Sequence, residues 1–271
     1  MAVLQNLHTH TTYCDGALPP EAMVKAALGK GADSIGFSEH SFVKLDVQYS
    51  MSIDLTPDYI REIGMLKEKY KDKIEIFLGL EMDYHTDWTP DGLDYTIGTL
   101  HYIEKNGKLI SVDNGAGRQK LIAERYFGGD YYAMAEEYYA VMAGIAEKTN
   151  ADITGHFDLI AKYNFGGNLF DELHPRYRNA AFGAIEEIMK KCQIFEVNTG
   201  AMYRFNKTEP YPSVFLLKEI CRRGGEVVLS SDSHDAESLF YMFDEMKELL
   251  KTCGFKYTKR LTKEGFTNVP L

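Results

Sequence analysis

The chain has 271 residues, with 40 acidic against 30 basic side chains and a formal charge of -10 at pH 7. That balance argues against general binding to nucleic acid or to an anionic membrane, because both want a basic face. No apolar run approaches the roughly 18–20 residues of a membrane helix, and Met1 to His10 lacks the basic start and apolar run of a signal peptide.

The elements alternate along the chain. A strand is expected over Ala2–His10, rich in apolar residues and ending in polar ones. Pro19-Pro20-Glu21 opens a helix that runs to Gly29 or Gly31, with proline at the start and glycine at the end. A second strand covers Ser34–His40. Thr56-Pro57-Asp58 opens a second helix, with Ile60, Ile63 and Leu66 or Lys67 at helical spacing. Strands follow at Ile74–Glu81 and Tyr95–His101, then a helix over Tyr131–Lys148 with Tyr138, Met142 and Ile145 on one face. The remainder reads as strand Asp152–Phe157, helix Pro175–Cys192, strand Ile194–Asn198, helix Pro212–Arg223, strand Glu226–Ser231 and helix Ala236–Cys253.

No linker or low-complexity segment interrupts this series, so one domain is expected over residues 1–271. Strand and helix alternating over one chain mean a parallel sheet with helices outside. The number of strands and the length suit a closed or nearly closed barrel. A doubly wound open sheet is the competing architecture, but no GxGxxG follows the first strand. Ser41–Leu55, Met82–Asp94 and Tyr102–Tyr131 follow strands and read as the loops of an active face. The four cysteines, Cys14, Cys192, Cys221 and Cys253, are widely spaced, which fits reduced thiols in a cytoplasm.

His8-Thr9-His10 ends the first expected strand, where positions i and i+2 point to the same side. Asp15 follows shortly after. His40, Glu81, His101 and His156 end the next four strands, and Asp232 and His234 lie just past the last. Six of the eight histidines thus sit at strand ends that converge on one face of a barrel. His85 and His174 read as loop or surface residues. The nine convergent groups exceed what one four-coordinate zinc ion uses. They suit two or three divalent ions with a carboxylate bridging a pair. Such a centre outweighs its three carboxylates in charge, attracts phosphate and acidifies bound water. Phosphate ester hydrolysis suits this inventory best, although amide or amine hydrolysis would use similar ligands.

The segments HTHTTYCDG, SEH, GLEMDY, TIGTLHYI, GHFDLI, NTG and SSDSH occur in order between Leu7 and about Asp235. Together they resemble the motifs of the polymerase-and-histidinol-phosphatase (PHP) family, and length and wording look most like its stand-alone histidinol-phosphate phosphatase branch. The resemblance implies an α/β fold, a distorted (β/α)7 barrel of parallel strands with outer helices. It implies three divalent ions, of Zn, Mn, Fe or Co. His8, His10, Glu81 and Asp232 would hold one; Glu81, His101 and His156 a second; Asp15, His40 and His234 a third. Asp232 or His234 would carry the proton to the leaving alkoxide, and Lys162 and Arg204 would clamp the phosphoryl group.

The implied substrate is a small phosphate ester, L-histidinol phosphate, cleaved to L-histidinol and phosphate in histidine biosynthesis. Another small phosphate ester or a nucleotide is the alternative; a non-catalytic module would be expected to lack ligands. The common SDH motif reads Ser38-Glu39-His40 here, and Glu39 should face away from His40 and support its neighbours. Cys14 is a further possible ligand, Asn198 a positioning residue and Arg118 a further clamp. Glu39, Asp83 and Asp113 are the acids available to meet a substrate amine.

Overall fold

A computed structural model describes residues 3–44 and 49–271. Ala2, expected to begin the first strand, and residues 45–48 of the expected Ser41–Leu55 loop lie outside them. In chain order, β1 (Gln5–Asn6), α1 (Pro20–Gly29), β2 (Ser34–His40), α2 (Thr56–Tyr70), β3 (Glu75–Asp83) and β4 (Tyr95–Thr99) open the fold. A hairpin of β5 (Tyr102–Lys105) and β6 (Lys108–Ser111) leads to α3 (Ala116–Phe127), α4 (Tyr131–Met142) and α5 (Ile145–Thr149). Then come β7 (Ile153–Thr154), α6 (Pro175–Ile188), β8 (Ile194–Asn198), α7 (Gly200–Phe205), α8 (Val214–Arg222), β9 (Glu226–Ser230) and α9 (Phe243–Cys253). A hairpin of β10 (Tyr257–Thr262) and β11 (Gly265–Pro270) follows.

Seven strands pair in parallel in the order β1, β2, β3, β4, β7, β8, β9. The two ends of this sheet meet. Thr9 bridges Ser233, His10 N donates to the Ser233 carbonyl at 2.8 Å, and Ser233 N donates to the His8 carbonyl at 3.0 Å. The result is a nearly closed seven-stranded α/β barrel. Its closing seam lies next to His8 and His10.

Side chains fill the interior. Leu7, Phe77, Tyr95, Ile97, Ile153, Ile194 and Val228 form one buried cluster, with Leu261 of β10 added from below. The Gln5 amide holds Leu261 from both sides, donating to its carbonyl at 2.9 Å and accepting from its N–H at 2.8 Å. The C-terminal hairpin therefore closes the N-terminal end of the barrel and leaves the other end open. Tyr95 crosses the interior, and its hydroxyl donates to the carbonyls of Leu7 and of Phe37, the latter at 3.0 Å. Gly36 and Gly79 make room for its ring. Outside, Tyr59, Ile63 and Leu66 of α2 pack with Ile35, Ile76 and Leu78 of the sheet. Tyr138, Tyr139 and Met142 of α4 join a second outer layer.

Several expected boundaries move, each for a local reason. The first strand is paired only at Gln5–Asn6, because the Asn6 side chain substitutes for the ladder beyond it. Its amide donates to the His8 carbonyl at 3.0 Å and accepts from Ser231 N at 3.1 Å. The fourth strand stops at Thr99, and the Asp83 carboxylate takes His101 N at 3.0 Å. The expected Tyr131–Lys148 helix divides at Ala143-Gly144, where glycine is a poor helix former. The Tyr102–Tyr131 stretch is not a plain loop. Asn106 and Gly107 both adopt left-handed φ, 53° and 72°, and make the hairpin turn between β5 and β6, the conformation that an Asn-Gly pair favours. The last helix starts at Phe243 rather than Ala236, after Phe240 and Met242 at φ 65° and 55°. No helix among the described residues is long and apolar enough to cross a membrane.

A Cβ at Gly79 would overlap the Tyr95 ring. Gly79→Ala is expected to destabilise the fold by about 1–3 kcal/mol through overpacking, measured by urea unfolding. Glu172, before α6, is pushed up to about 7 from 4.5, mainly by burial and then by the nearby Asp158 charge. A carboxyl raised in the folded state stabilises fully below its unfolded value and loses that contribution as pH rises through its folded value. Glu172→Gln should therefore gain stability over the parent between pH 4.5 and 7, by about 1–2 kcal/mol after solvent screening. Paired unfolding curves at pH 5 and pH 8 check the sign.

Candidate metal centre

Glu81 projects from the end of β3 into the open end of the barrel and is 1% exposed. Five imidazoles surround its carboxylate. Oε1 faces His156 Nε2 at 2.9 Å and His101 Nε2 at 3.4 Å. Oε2 faces His40 Nδ1 at 2.7 Å, His8 Nε2 at 3.3 Å and His10 Nε2 at 3.5 Å. Asp232, just past β9 with a left-handed φ of 45°, puts Oδ1 within 3.3 Å of His10 Nε2 and 3.7 Å of His8 Nε2. Asp15 lies 3.2 Å from His234 Nε2 and 3.7 Å from His40 Nε2. The structure thus gathers His8, His10, Asp15, His40, Glu81, His101, His156, Asp232 and His234 at one end of the barrel.

Donor atoms converge in four overlapping sets among the described residues: His8, His10 and Asp232; His10, Asp15, His40 and His234; His40, Glu81 and His101; and His10, Cys14 and Glu39. His8 Nε2, His10 Nε2 and Glu81 Oε2 are buried and face one another, and none makes an aligned hydrogen bond, Oε2 despite its 2.7 Å contact with His40 Nδ1. Orphaned buried polar atoms are costly, and a cation between them would satisfy all three. The residues therefore fit a metal ion, and a mixed imidazole and carboxylate set suits a first-row divalent ion.

In the protein alone, charge pairing keeps the two central carboxylates ionised. Burial would raise the Glu81 and Asp232 carboxyls, but the neighbouring cations hold them well below the usual range. These are His40, His8 and His101 for Glu81, and Arg204 and His8 for Asp232. Burial together with His234 and His40 brings His10 down to about 3. A neutral His10 leaves a nitrogen lone pair available to an ion.

A second layer holds these groups. Glu196 on β8 is fully buried. It lies 2.8 Å from His8 Nδ1, and accepts from the Ser230 hydroxyl at 2.6 Å, the Asn198 amide at 3.0 Å and His156 N. Asp83 lies 3.1 Å from His101 Nδ1. Carboxylates at the far nitrogen orient a ligating imidazole and fix its tautomer. Sequence reasoning missed Glu196. Its signal was a carboxylate in the apolar strand run Ile194-Phe195-Glu196-Val197-Asn198, two residues from Asn198 and on the same face. Asn198 donates to Asp232 Oδ2 at 3.4 Å and so supports that residue.

The remaining candidates separate. Arg204 on α7 donates to Asp232 Oδ2 at 2.9 Å and to the Asp232 carbonyl at 2.7 Å, and lies 2.6 Å from His234 Nδ1. Lys162 lines the same cavity and pairs with Asp113 at 3.1 Å. Arg118 is exposed on α3 and is not among the residues lining the cavity. Glu39 is buried and bonds to Thr11 N at 3.1 Å and to Cys14 Sγ at 2.7 Å. It supports the turn that presents Asp15 and is closed to a substrate amine. Asp83 is also closed, since its carboxylate holds His101 and His85 N. Cys14 Sγ lies 3.4 Å from His10 Nδ1. His85 bonds the Tyr102 carbonyl and His174 stacks on Tyr132, both outside the cluster. Above the donor set opens a cavity of about 390 Å³, room for a small molecule.

Fold and site together define an α/β barrel with clustered metal-type ligands at its strand ends. Residues 6–200 match the family model described as the PHP domain, and the chain belongs to that family. It is 29% identical over 280 residues to a probable histidinol-phosphatase of Deinococcus radiodurans, covering 97% of this chain and 99% of that protein. It is 26% identical over 263 residues to a histidinol-phosphatase of Lactococcus lactis, covering 92% and 90%. The solved histidinol phosphate phosphatase of Lactococcus lactis, complexed with zinc, L-histidinol and phosphate, shares the fold. The TM-score is 0.74 at 24% identity, covering 98% of this chain and all of that one.

Glu196→Ala would strand His8 Nδ1, the Ser230 hydroxyl and the Asn198 amide without their acceptor. A loss of about 3–5 kcal/mol is expected, the range for breaking a buried charge pair. Urea unfolding of metal-free protein measures it.

Proposed function

We propose that this protein is a metal-dependent phosphomonoesterase that hydrolyses L-histidinol phosphate to L-histidinol and phosphate in histidine biosynthesis. The observation that carries the reading is the full donor set around Glu81, with its orphaned atoms, under a small cavity edged by Arg204. The relatives named as histidinol-phosphatases match this chain over nearly its whole length, which supports the substrate.

Three divalent ions, of Zn, Mn, Fe or Co, would be held by His8, His10, Glu81 and Asp232, by Glu81, His101 and His156, and by Asp15, His40 and His234. Ions bound there would supply Lewis-acid polarisation of the phosphoryl group and an acidified water. The chain's own residues do the rest. Arg204 binds phosphoryl oxygen, its guanidinium already pinned by Asp232, so little side-chain freedom is lost on binding. Lys162, which lines the same cavity, adds a point charge. Asp232 or His234, whose Oδ1 and Nδ1 lie 3.5 Å apart, delivers the proton to the leaving alkoxide. Asn198 and Glu196 keep Asp232 and His8 in place during turnover.

Kinetics on purified metal-loaded protein test the substrate. Turnover of L-histidinol phosphate should exceed that of p-nitrophenyl phosphate by about a hundredfold in kcat/KM, a differential binding of some 2.7 kcal/mol. Equal values would overturn the assignment. His8→Ala and Asp232→Ala should each lower kcat by about a thousandfold or more while the circular dichroism spectrum stays that of the parent. Elemental analysis of the parent and both variants reads metal content separately.

A further inference from the structure

In one wall of the cavity a lysine is paired with an acid that phosphate chemistry does not use. Asp113 follows β6, and Lys162 follows the turn after β7; both line the cavity. Lys162 Nζ donates to Asp113 Oδ2 at 3.1 Å and sits 5.0 Å above the Phe205 ring. The Ser111 hydroxyl donates to Asp113 Oδ1 at 2.8 Å. The Tyr163 hydroxyl donates to the Asp113 carbonyl and accepts from Gly115 N at 2.9 Å. This segment of the wall is tied down from both ends.

Among the described residues, five acids line the cavity: Asp15, Glu81, Asp83, Asp113 and Asp232. Three stand among the imidazoles. Asp83 spends its oxygens on His101 and His85 N. Asp113 is neither in the donor cluster nor spent on holding one of its imidazoles, and its side chain keeps 25% of its surface. Burial pulls this carboxyl up, but Lys162 and His101 outweigh burial and hold it down to about 2. A fixed negative charge in a cavity meant for a phosphate ester repels the ester. It becomes favourable only where the rest of the molecule brings a cation. A carboxylate offers about four acceptor positions, and the two side-chain donors here leave others open.

We propose that Asp113 is a specificity-determining residue that receives a protonated amine on the leaving-group side of the substrate, so that the cavity selects phosphate esters of amino alcohols. This rests on the phosphomonoesterase reading above. Lys162 is then a resting partner: it neutralises Asp113 in the free protein and shares it with the incoming ammonium. When Lys162 turns from Asp113 to the phosphoryl group, an ester without a cationic amine, nucleoside monophosphates included, leaves the Asp113 charge uncompensated beside its own.

The test compares L-histidinol with its counterpart lacking the amine, by calorimetric binding to the full-length metal-loaded protein, and the phosphate esters of both by kcat/KM. The parent should prefer the amine-bearing partner by about tenfold or more in each measurement, a typical size for a close charge pair. Asp113→Asn should collapse that preference to near unity in both. Lys162→Gln, which leaves Asp113 free, should keep it. Circular dichroism verifies the fold of each variant. A preference that survives in Asp113→Asn overturns the proposal. So does a Lys162→Gln variant that loses the preference as completely as Asp113→Asn, because Asp113 would then serve only to hold Lys162. Absence of turnover on either ester, with amine-dependent binding intact, removes the esterase reading and leaves Asp113 as an amine site. Turnover without any amine preference in the parent does the reverse.

Discussion

The open end of this barrel is organised around one buried carboxylate. Glu81 faces five imidazoles, each within 3.5 Å, contributed from the ends of β1, β2, β4 and β7. Such a concentration of polar groups is costly in a folded interior unless charge and hydrogen bonding are balanced. Parallel strands make the balance possible, because every strand delivers its last residues to the same end. Closure of the barrel matters for the same reason. The seam between Thr9 and Ser233 sets His8 and His10 directly opposite Asp232 and His234. An open sheet would leave these four residues at opposite edges.

The second layer explains why several strands end where they do. Asn6 replaces the ladder after β1 and thereby fixes the backbone of His8 and Ser231. Asp83 ends β4 by taking the His101 backbone and its Nδ1 together. Glu196 ties His8, His156 and Ser230 across three strands. Ladder hydrogen bonds are given up at these points, and side-chain acceptors recover them while aiming the imidazoles. Short strands such as β1 and β7 are thus the local expression of a site that needs its backbone positioned by side chains.

The architecture was legible because its signals are repetitive. Seven apolar runs with polar ends, separated by helical periods, specify a parallel barrel, and six histidines at those ends mark its working face. What escaped depends on partners distant in sequence. Glu196 looks like a stray charge until His8, 188 positions away, comes to its side. Asp83 was available on paper as a substrate contact, and Glu39 likewise. Only packing shows that His101 occupies one and that Thr11 and Cys14 occupy the other. The hairpin of β5 and β6 is a different case. Its Asn-Gly turn was a local signal, passed over because the stretch around it is polar and follows a strand.

Net charge illustrates how bulk and local electrostatics part company. A chain at -10 overall places Arg204 and Lys162 on the walls of its main cavity, each already holding a carboxylate. Neither arginine nor lysine is free to attract anions over distance, because Asp232 and Asp113 cancel much of their far field. What they offer is contact-range geometry: Asp232 holds the Arg204 guanidinium in place, and under the proposed function it would meet an oxygen with its geometry set beforehand. A cavity built this way gains little from steering and much from fit. Under the function proposed above it would favour a small ligand that carries both signs of charge over a polyanion, and that selectivity would come from the pairing of side chains in the walls rather than from the charge of the molecule.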